Sequence, residues 1–359
     1  MAEINARLTK VRARLDELEI DAFLISQPHN RRYVSGFTGS TATLLVSRHH
    51  ALIATDSRYW EQARLQAPEF ELAQVKTRLA DHLGEMFDRA GGARRIGFES
   101  AAVCVDELAQ WREACPAVEW IAAKDVVEPI RMVKDAGELT AIRRAAAVAD
   151  AGFDFLCGIL APGMTEREAA WQIEVYLRTH GAEALAFETI VASGPNGAMA
   201  HHQPGSRVIQ RGEPIVIDFG VVVDGYCSDM TRTVSLGDGD PRYSEVYGVV
   251  RRAQQAALDG IRAGMLGEQA DALARDVIVA AGYGESFGHG LGHGVGLAVH
   301  EAPRAGRVSA QNVLVSGATL TVEPGVYLPG WGGVRIEDLT VIGEDGLDVV
   351  SRAHKNPVI

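Results

Sequence analysis

The chain has 359 residues, and because a single hydrophobic core stops growing at roughly 250 to 300 residues, we expect two domains. Hydrophobic residues make up 47% and charged residues 23%, a composition typical of folded globular proteins and not of disordered or fibrous ones. The net charge of -12 argues against a basic surface for nucleic acid or for an anionic membrane, so we expect neither as a partner.

The first part of the chain, residues 1–126, is predicted to be a small α/β domain. Short apolar runs rich in β-forming residues alternate there with segments of helical period, and this alternation favours helices packed on a sheet. The apolar runs span 22–25, 42–46 and 51–54, and the helical patterns span 8–18 and 79–87.

Two features of the sequence predict a cytoplasmic location. Residues 1–19 carry regularly spaced charges and lack the apolar core of a signal peptide, and no stretch approaches about 18 uninterrupted apolar residues. The four cysteines, at 104, 115, 157 and 227, show no C-x-x-C spacing, which fits a reducing compartment. We expect them to be packing residues, although Cys227 lies inside a motif described below.

A proline interrupts the pattern within residues 127–134, which we predict to be a linker to a catalytic domain at 135–359. A long helix is predicted over 136–160, ended by a Pro-Gly pair. The next helix has a capping box, with Thr165 as the N-cap and Glu168 three residues later.

The second domain contains a weak internal repeat. Residues 216–221 and 321–326 share the order apolar, acid, any residue, Gly, Val, and each segment is followed by a second acid and then a threonine. The second acids are Asp229 and Glu337. The repeat predicts two half-domains that contribute similar acid-bearing hairpins to one centre.

The first hairpin is predicted from the Asp224-Gly225 dipeptide, a strong two-residue turn signal between apolar strands. If this dipeptide is the tip, Gly220 pairs with Asp229, and Asp218 is a diagonal neighbour of Asp229 on the same face. Two carboxylates this close repel each other unless a proton or a cation lies between them. A metal ion is therefore the natural hypothesis.

The second hairpin follows from the glycine-rich loop at 329–333, whose centre sets Glu323 opposite Glu337. Any one of these acids, taken alone, is well explained as a solvated charge on the protein surface. Two acid pairs in matched hairpins of apolar strands, where an unpaired charge is costly, instead predict one site built from Asp218, Asp229, Glu323 and Glu337.

A glycine-rich segment, residues 288–301, contains three histidines. His289 and His293 have the i,i+4 spacing of a helical zinc site, but glycine at every second position from 288 to 296 makes a helix implausible. Such glycines fit a backbone that passes close to a ligand or a metal. With His300, these histidines are candidates for the same site as the acids.

Four carboxylates and one imidazole suit two hard divalent ions, and we expect Mn²⁺, with Co²⁺ or Zn²⁺ as alternatives. Four negative charges also balance two divalent cations. Two such ions lower the pKa of a shared water and polarise a carbonyl, which is the chemistry that amide hydrolysis needs.

These segments resemble the prolidase and aminopeptidase P group of the pita-bread, methionine aminopeptidase-like, metallopeptidases over nearly the whole chain. The resemblance implies an α+β protein with a C-terminal pita-bread fold, in which two pseudo-symmetric half-domains form a curved antiparallel sheet with flanking helices. It also implies a smaller N-terminal α/β creatinase-like domain. The matching segments are Asp218-x-Gly220, 225–233, 288–301, 323–325 and 334–338.

By this resemblance, five residues bind the two ions. His293 and Glu323 would hold one ion, Asp218 the other, and Asp229 and Glu337 would bridge them. Glu323 would also act as the general base, a role that suits a positioned carboxylate.

The resemblance further implies an outer set of catalytic and substrate-binding residues. His289 and His300 would bind substrate and stabilise the tetrahedral intermediate, and Arg335 would orient the adjacent acids. Phe187 and Ile190 would line the substrate pocket.

His201 aligns with a functional histidine that contacts substrate. Ala200 replaces the proline that precedes this histidine in the family, and the neighbouring His202 leaves the choice between the two histidines open.

The N-terminal part resembles the creatinase-like domain at 30–33 and 56–59. In relatives this domain supports dimerisation, so we expect a homodimer, and Arg31, Arg32 or Tyr33 at a predicted strand start would reach toward a partner's active site.

The function implied is hydrolysis of the bond before proline. We favour an Xaa-Pro dipeptidase, a prolidase; the alternative is an Xaa-Pro aminopeptidase that acts on longer peptides. A non-catalytic peptide-binding or scaffold member of the fold is the distant alternative, and it is disfavoured because all five ligands are present.

Overall fold

The computed structural model describes residues 2–359 and divides the chain into two compact units. One unit ends at Arg131 and the other comprises Met132–Ile359. The predicted linker, residues 127–134, contains a short helix, Glu128–Met132 (α6 in chain order), so the backbone there is largely helical.

The first unit is an α/β domain, as predicted. Its six strands form one mixed sheet in the order β4-β3-β2-β1-β5-β6, in which the β1–β5, β3–β4 and β5–β6 pairs are parallel. Its strands are β1 (Ala22–Ile25), β2 (Thr43–Ser47), β3 (Ala51–Thr55), β4 (Glu71–Gln74), β5 (Arg95–Glu99) and β6 (Glu119–Ala123). Its helices before α6 are α1 (Ala2–Glu17), α2 (Pro28–Ser35), α3 (Trp60–Gln66), α4 (Leu83–Arg89) and α5 (Val105–Ala114).

Two sequence expectations in this unit need correction. Residues 30–33 lie in α2 and not at a strand start, because Gln27 caps the backbone N–H of Asn30, Pro28 occupies the first turn and Gly36 ends the helix at φ 76°. The helix predicted over 79–87 begins as a separate 3₁₀ turn at Leu79–His82 before α4.

The second unit carries the predicted hairpins. Its helices are α7 (Ala136–Ile159), α8 (Glu166–Thr179), α9 (Pro241–Gly260) and α10 (Gly267–Ala280), with 3₁₀ turns at Gly194–Ala198 and Gly284–Ser286. Its strands in the first half are β7 (Ala184–Leu185), β8 (Ile190–Ser193), β9 (Ile215–Phe219), β10 (Val221–Val223), β11 (Tyr226–Cys227) and β12 (Met230–Val234). Its later strands are β13 (Gly292–Gly294), β14 (Glu301–Ala305), β15 (Thr319–Val322), β16 (Gly325–Leu328), β17 (Gly332–Arg335), β18 (Asp338–Ile342) and β19 (Leu347–Val349).

This unit repeats one arrangement, which confirms the predicted pair of half-domains. In each half a helix pair precedes an antiparallel hairpin, α7 and α8 before β9–β12, and α9 and α10 before β15–β18. Each half has its own core: one includes Phe153 and Ile217, and the other includes Val250 and Leu320. Apolar burial thus holds each hairpin against its helices.

Side-chain caps start helices α8 and α9. Thr165 accepts a hydrogen bond from the backbone N–H of Glu168, whose side chain accepts from the Thr165 N–H, so the predicted capping box is confirmed. Asp240 caps α9 directly before Pro241.

The cysteines and the helices bear on two further expectations. Cys227 is buried in an apolar cluster, and its thiol donates to the carbonyl of Leu297. No disulfide joins the four cysteines. Among residues 2–359, no helix combines the length and the apolar character needed to span a membrane.

β13 lies very close to β15, which explains part of the glycine pattern. A Cβ atom on Gly292 would be 1.8 Å from the carbonyl oxygen of Thr321, far inside any allowed contact. By contrast, a Cβ on Gly288 would meet no atom within 4 Å. Only some glycines of this segment are therefore required by packing.

We predict that Gly292→Ala destabilises the protein, whereas Gly288→Ala does not. Forcing β13 away from β15 costs about 1–3 kcal/mol, and each kcal/mol lowers the melting temperature by about 2–4 °C. Thermal unfolding of both variants tests this. Equal melting temperatures for the two variants would contradict the close approach of the strands.

Candidate metal centre and substrate pocket

The first predicted hairpin forms in the predicted register. Asp224 and Gly225 have φ angles of 50° and 82°, the left-handed conformation that a tight hairpin turn requires. Val222 pairs with Cys227, and Asp218 pairs with Thr231 farther from the turn. The same register sets Asp229 opposite Gly220, so the predicted diagonal pair of acids is confirmed.

The second hairpin also confirms its predicted register. Gly325 pairs with Arg335, and Val322 pairs with Asp338 on the other side of the acid pair. Glu323 and Glu337 are therefore directly opposite each other. The two hairpins meet where the backbone N–H of Glu337 donates to the carbonyl of Thr231, at 3.0 Å.

The glycine-rich segment brings His293 to the acids as an extended strand and not as a helix. The His293 N–H donates to the Thr321 hydroxyl at 3.0 Å, and the Glu323 N–H donates to the carbonyl of Leu291 at 2.9 Å. These bonds place His293 beside Glu323, since both belong to strands held at the close contact of β13 and β15.

All five predicted metal ligands lie at one place. The His293 Nε2 atom is 3.3 Å from Glu323 Oε1 and 3.6 Å from Asp229 Oδ2. Ligand atoms of Asp229, His293 and Glu337 lie within 4.8 Å of one another, close enough to share one ion. Asp218 reaches the same group through Arg335, described below.

Two details show that these residues fit a bound cation. The Oδ1 atom of Asp218 is buried and has no hydrogen-bond partner, an arrangement that is costly unless a cation satisfies it. His293 Nδ1 donates to the Gly294 carbonyl at 3.1 Å, which turns the Nε2 atom toward the acids. A backbone partner of this kind is typical of metal-bound histidine.

The acids of the centre divide into two electrostatic classes. Burial, followed by the negative charge of Glu337, raises the pKa of Asp229 well above its usual value. Burial and the charge of Glu323 do the same to the pKa of Glu337. Burial also raises the pKa of Glu323, but the hydrogen bond and charge of His293, together with the charges of His289 and Arg335, outweigh burial and lower that pKa. Protons on Asp229 and Glu337 therefore relieve the repulsion when no cation is bound.

Arg335 connects the acids to the substrate side of the site. Its Nη2 atom donates to Asp218 Oδ2 at 2.5 Å, and its Nε atom donates to the Thr231 hydroxyl at 2.9 Å. The Thr231 hydroxyl in turn donates to Glu337 Oε2 at 2.7 Å. One buried guanidinium thus orients acids of both hairpins, as the predicted role of Arg335 requires.

A second branch from Arg335 leads to His289. Arg335 Nη1 donates to the Tyr327 hydroxyl at 2.7 Å, and this hydroxyl lies 2.9 Å from His289 Nε2. His289 Nδ1 donates to the Gly290 carbonyl at 2.8 Å, so Nε2 of the neutral ring accepts from Tyr327. Burial lowers the pKa of His289, which favours that neutral ring.

The metal centre opens into a cavity of about 750 Å³. His300 lies beside His293, with ring centroids 4.2 Å apart, and it lines this cavity. All five residues predicted to contact substrate line the cavity, namely Phe187, Ile190, His201, His289 and His300.

The two neighbouring histidines have different surroundings. His202 Nε2 is 2.8 Å from the buried carboxylate of Glu166, which ties His202 to the protein interior. His201 is exposed and lines the cavity. Ala200, which replaces the family's proline, accepts a hydrogen bond through its carbonyl from Arg335 Nη1 at 3.3 Å.

Several residues at the site are not predicted from the sequence. Tyr327 and Thr321 hydrogen-bond to predicted site residues, and Arg304 lines the cavity beside His293. Each lies within two to eleven residues of a predicted ligand, but a tyrosine, threonine or arginine in a strand carries no signal of function by itself. Only the direction of each side chain distinguishes these residues from their neighbours.

In the first unit, two of the residues predicted to reach a partner's site make hydrogen bonds within the unit itself. The Arg31 guanidinium is buried and donates to the carbonyls of Ala42 and Gly39, and the hydroxyl of the buried Tyr33 donates to the Ile130 carbonyl. These contacts give both side chains a role in packing α2. A reach of Arg31, Arg32 or Tyr33 toward a partner's site stays a prediction.

Known proteins similar to this chain are peptidases. A solved Xaa-Pro dipeptidase from Bacillus anthracis is 37% identical, has a TM-score of 0.96, and the match covers 99% of this chain and 100% of that one. A solved X-Pro aminopeptidase from Thermotoga maritima is 38% identical, with a TM-score of 0.89 and coverage of 96% and 100%. The Xaa-Pro dipeptidase of Pyrococcus furiosus is 33% identical over 353 residues, which are 98% of this chain and 99% of that protein.

Family profiles agree with the geometry. Residues 7–133 match the Creatinase/Prolidase N-terminal domain, and residues 140–344 match Metallopeptidase family M24. The predicted pita-bread fold with a creatinase-like N-terminal domain is therefore confirmed, as is the predicted dependence on divalent metal ions. With its ligands assembled and both profiles matched, the chain belongs to metallopeptidase family M24.

Proposed function

We propose that this chain is a two-metal peptidase that hydrolyses the bond before proline, and that its main substrate is an Xaa-Pro dipeptide. The observation that carries the proposal is the convergence of four carboxylates and His293 at the floor of a cavity, with one buried carboxylate oxygen unpaired. The names of the relatives from Bacillus anthracis and Pyrococcus furiosus support the proline specificity.

The donor set supports manganese as the cofactor, with cobalt or zinc as alternatives. Four carboxylates offer hard oxygen ligands, and none of the described cysteines lines the cavity. We assign His293 and Glu323 to one ion, Asp218 to the other, and Asp229 and Glu337 to both. Such ions supply a water of lowered pKa and polarise the substrate carbonyl.

The chain's own residues then handle substrate and protons. Glu323, whose pKa is lowered, is ionised and can take a proton from the attacking water on its carboxylate and pass it to the leaving proline nitrogen. His201 and His300 line the cavity and are assigned to hydrogen bonds with the tetrahedral intermediate. His289 binds substrate in this assignment, held in place by its contacts with Tyr327 and Gly290.

Apolar and cationic parts of the cavity wall favour a proline at the C-terminus of a short substrate. Phe187 and Ile190 offer apolar surface for a pyrrolidine ring. Arg304 is exposed on the cavity wall. Burial and His293 are the larger causes of the lowered pKa of His300, and the positive charge of Arg304 lowers it further. A dipeptide carries a free carboxylate on its proline, and we assign Arg304 to that carboxylate.

One observation favours the alternative of an Xaa-Pro aminopeptidase, namely the 38% identity to the X-Pro aminopeptidase of Thermotoga maritima. A non-catalytic role lacks support, since the complete ligand set is assembled. The homodimer and the cytoplasmic location stay predictions, and light scattering of the purified protein tests the first.

A peptide panel tests the substrate. With added Mn²⁺, we expect the purified protein to hydrolyse Xaa-Pro dipeptides at least about tenfold more efficiently than Xaa-Pro-Xaa tripeptides, because only the dipeptide presents a carboxylate at the proline. The measurement is kcat/KM by released amino acid. Glu323→Ala should abolish turnover of both; tripeptide cleavage without dipeptide turnover would identify an aminopeptidase instead.

Replacing Arg304 tests how the dipeptide is held. Arg304→Leu should raise KM for Xaa-Pro by about tenfold, the value of one partly exposed charge-assisted hydrogen bond, and should change kcat little. The matched control is the Xaa-Pro amide, which lacks the carboxylate. An equal loss for acid and amide would show that Arg304 acts on the fold of the site and not on the substrate.

The raised acid pKa values predict how metal affinity depends on pH. Protons on Asp229 and Glu337 compete with cations, so the dissociation constant for Mn²⁺ should fall as the pH rises from about 5 to about 8, by about one log unit per pH unit for each proton displaced. Calorimetric titration at several pH values measures this slope.

The same shifts affect stability with a definite sign. A carboxyl whose folded-state pKa is raised stabilises the metal-free protein at acidic pH and loses that contribution as the pH rises through the raised value. The rise in melting temperature on adding Mn²⁺ should therefore be larger at pH 8 than at about pH 5. A pH-independent metal effect on both affinity and melting would contradict proton competition.

A further inference from the structure

Glu166, the first residue of α8, forms an unusual cluster of hydrogen bonds outside the metal centre. Its side chain is fully buried, and its carboxylate accepts from the Ser193 N–H at 2.8 Å and the Ser193 hydroxyl at 2.9 Å. It also accepts from Asn196 Nδ2 at 3.0 Å, from the Gly205 N–H at 3.2 Å, and lies 2.8 Å from His202 Nε2.

All these partners lie between Ser193, the last residue of β8, and Gly205. Residues 194–205, which we call the His201 loop, leave β8 after Ser193 and return to α8 at Gly205. The Glu166 carboxylate therefore binds the beginning, the middle and the end of the loop. His201 is the loop residue that is exposed and lines the substrate cavity, next to the tethered His202.

The start of helix α8 does not account for this carboxylate. Thr165 already caps the helix, and the exposed Glu168 completes the capping box. The Glu166 and Arg167 N–H groups donate to the backbone carbonyls of Arg207 and Gly205. With these bonds made, the buried side chain of Glu166 is not needed to cap the helix terminus.

Burying a carboxylate costs desolvation free energy, and the fold tolerates this only where hydrogen bonds to the carboxylate offset that cost. Burial raises the pKa of Glu166, but the bonds from Ser193, His202 and Asn196 outweigh burial and leave its pKa below the usual value. The side chain is therefore ionised at neutral pH. An ionised acceptor shared by several donors holds a loop more firmly than neutral contacts do.

The opposite side of the His201 loop touches the catalytic hairpin. Arg335 Nη1 donates to the Ala200 carbonyl, and a Cβ on Gly333 would lie 2.0 Å from the Gly197 carbonyl oxygen. The loop is thus held between Arg335 on one side and Glu166 on the other.

We propose that Glu166 is a positioning residue for His201: its buried carboxylate fixes the His201 loop so that the His201 imidazole stays in the substrate cavity. The proposal rests on the proposed function of His201 in peptide hydrolysis. Glu166 touches no substrate and acts only through the loop. A displacement of about 1 Å at a catalytic group can lower the rate about 100-fold.

Hydrogen–deuterium exchange of the metal-loaded protein tests the proposal without any assay. Glu166→Gln keeps the size of the side chain but replaces one acceptor oxygen by an NH₂ donor that faces other donors. We expect faster exchange in peptides that cover 194–205, with unchanged exchange in α9 and β15–β18. The backbone bonds of α8 to Gly205 and Arg207 are kept, so the variant should fold.

The matched control is Glu168→Gln, an acid-to-amide change two residues along the same helix turn, on its exposed side. It should leave both exchange in the His201 loop and kcat/KM within about twofold of wild type. Unchanged exchange of 194–205 in Glu166→Gln, or the same increase in Glu168→Gln, overturns the proposal.

A double-mutant cycle then tests whether Glu166 acts through His201. Glu166→Gln and His201→Ala should each lower kcat/KM for an Xaa-Pro dipeptide by about 10- to 100-fold, and the double variant should be no worse than His201→Ala alone. Metal content should equal wild type in all three, which excludes an indirect effect on the ions.

The outcomes separate the two hypotheses. If the losses of kcat/KM in the two single variants multiply in the double variant, the positioning role is wrong. It is also wrong if His201→Ala keeps the wild-type kcat/KM. Neither result contradicts the peptidase function. If the wild-type protein hydrolyses no proline peptide, the proposed function is wrong, and the exchange measurement still decides whether Glu166 orders the loop.

Discussion

The mutual repulsion of four carboxylates in one buried place is the constraint on which the catalytic unit depends. Acids that close together, in strands packed against apolar cores, are stable only if each negative charge is compensated. His293 lies 3.3 Å from Glu323 and Arg335 donates to Asp218, while burial and the neighbouring acids raise the pKa of Asp229 and Glu337 well above the usual values. The centre is thus arranged for cations that the protein itself does not provide.

The polar network around this centre gives Arg335 two functions at once. One edge of its guanidinium orients the acids through Asp218 and Thr231, and the other reaches Tyr327 and the backbone of the His201 loop. Because a guanidinium is planar and rigid, these contacts are geometrically coupled. The positions of the predicted metal ligands and of the cavity wall therefore depend on the same side chain.

The two sides of the cavity are built differently. The floor consists of hydrogen-bonded hairpins whose registers leave little freedom, and the glycines of β13 allow a strand contact that no other residue permits. The wall that carries His201 is a loop without regular partners, and loops of this kind need side-chain bonds to be rigid. Glu166 provides them from the helix behind the loop, at the cost of burying a charge.

The amino-acid sequence by itself determined the local features: the α/β alternation of the first unit, the capping box at Thr165, the turn at Asp224-Gly225 and the facing of Glu323 and Glu337. Turn chemistry and strand periodicity act over a few residues, so they can be read without a structure. The resemblance to a known family added the identity of the ligands. Residues 30–33 were misplaced because a capped helix start outweighed their strand-like surroundings.

Only the tertiary structure decided which groups meet across long separations. The contacts of Arg335 with Asp218, of Tyr327 with His289 and of Glu166 with His202 join residues that are far apart or unremarkable in sequence. Hydrogen bonding needs a direction and a distance within a few tenths of an ångström, and these follow from how the two half-domains pack. His201 and His202 show this most clearly, because these two identical neighbours differ in which one a buried carboxylate holds.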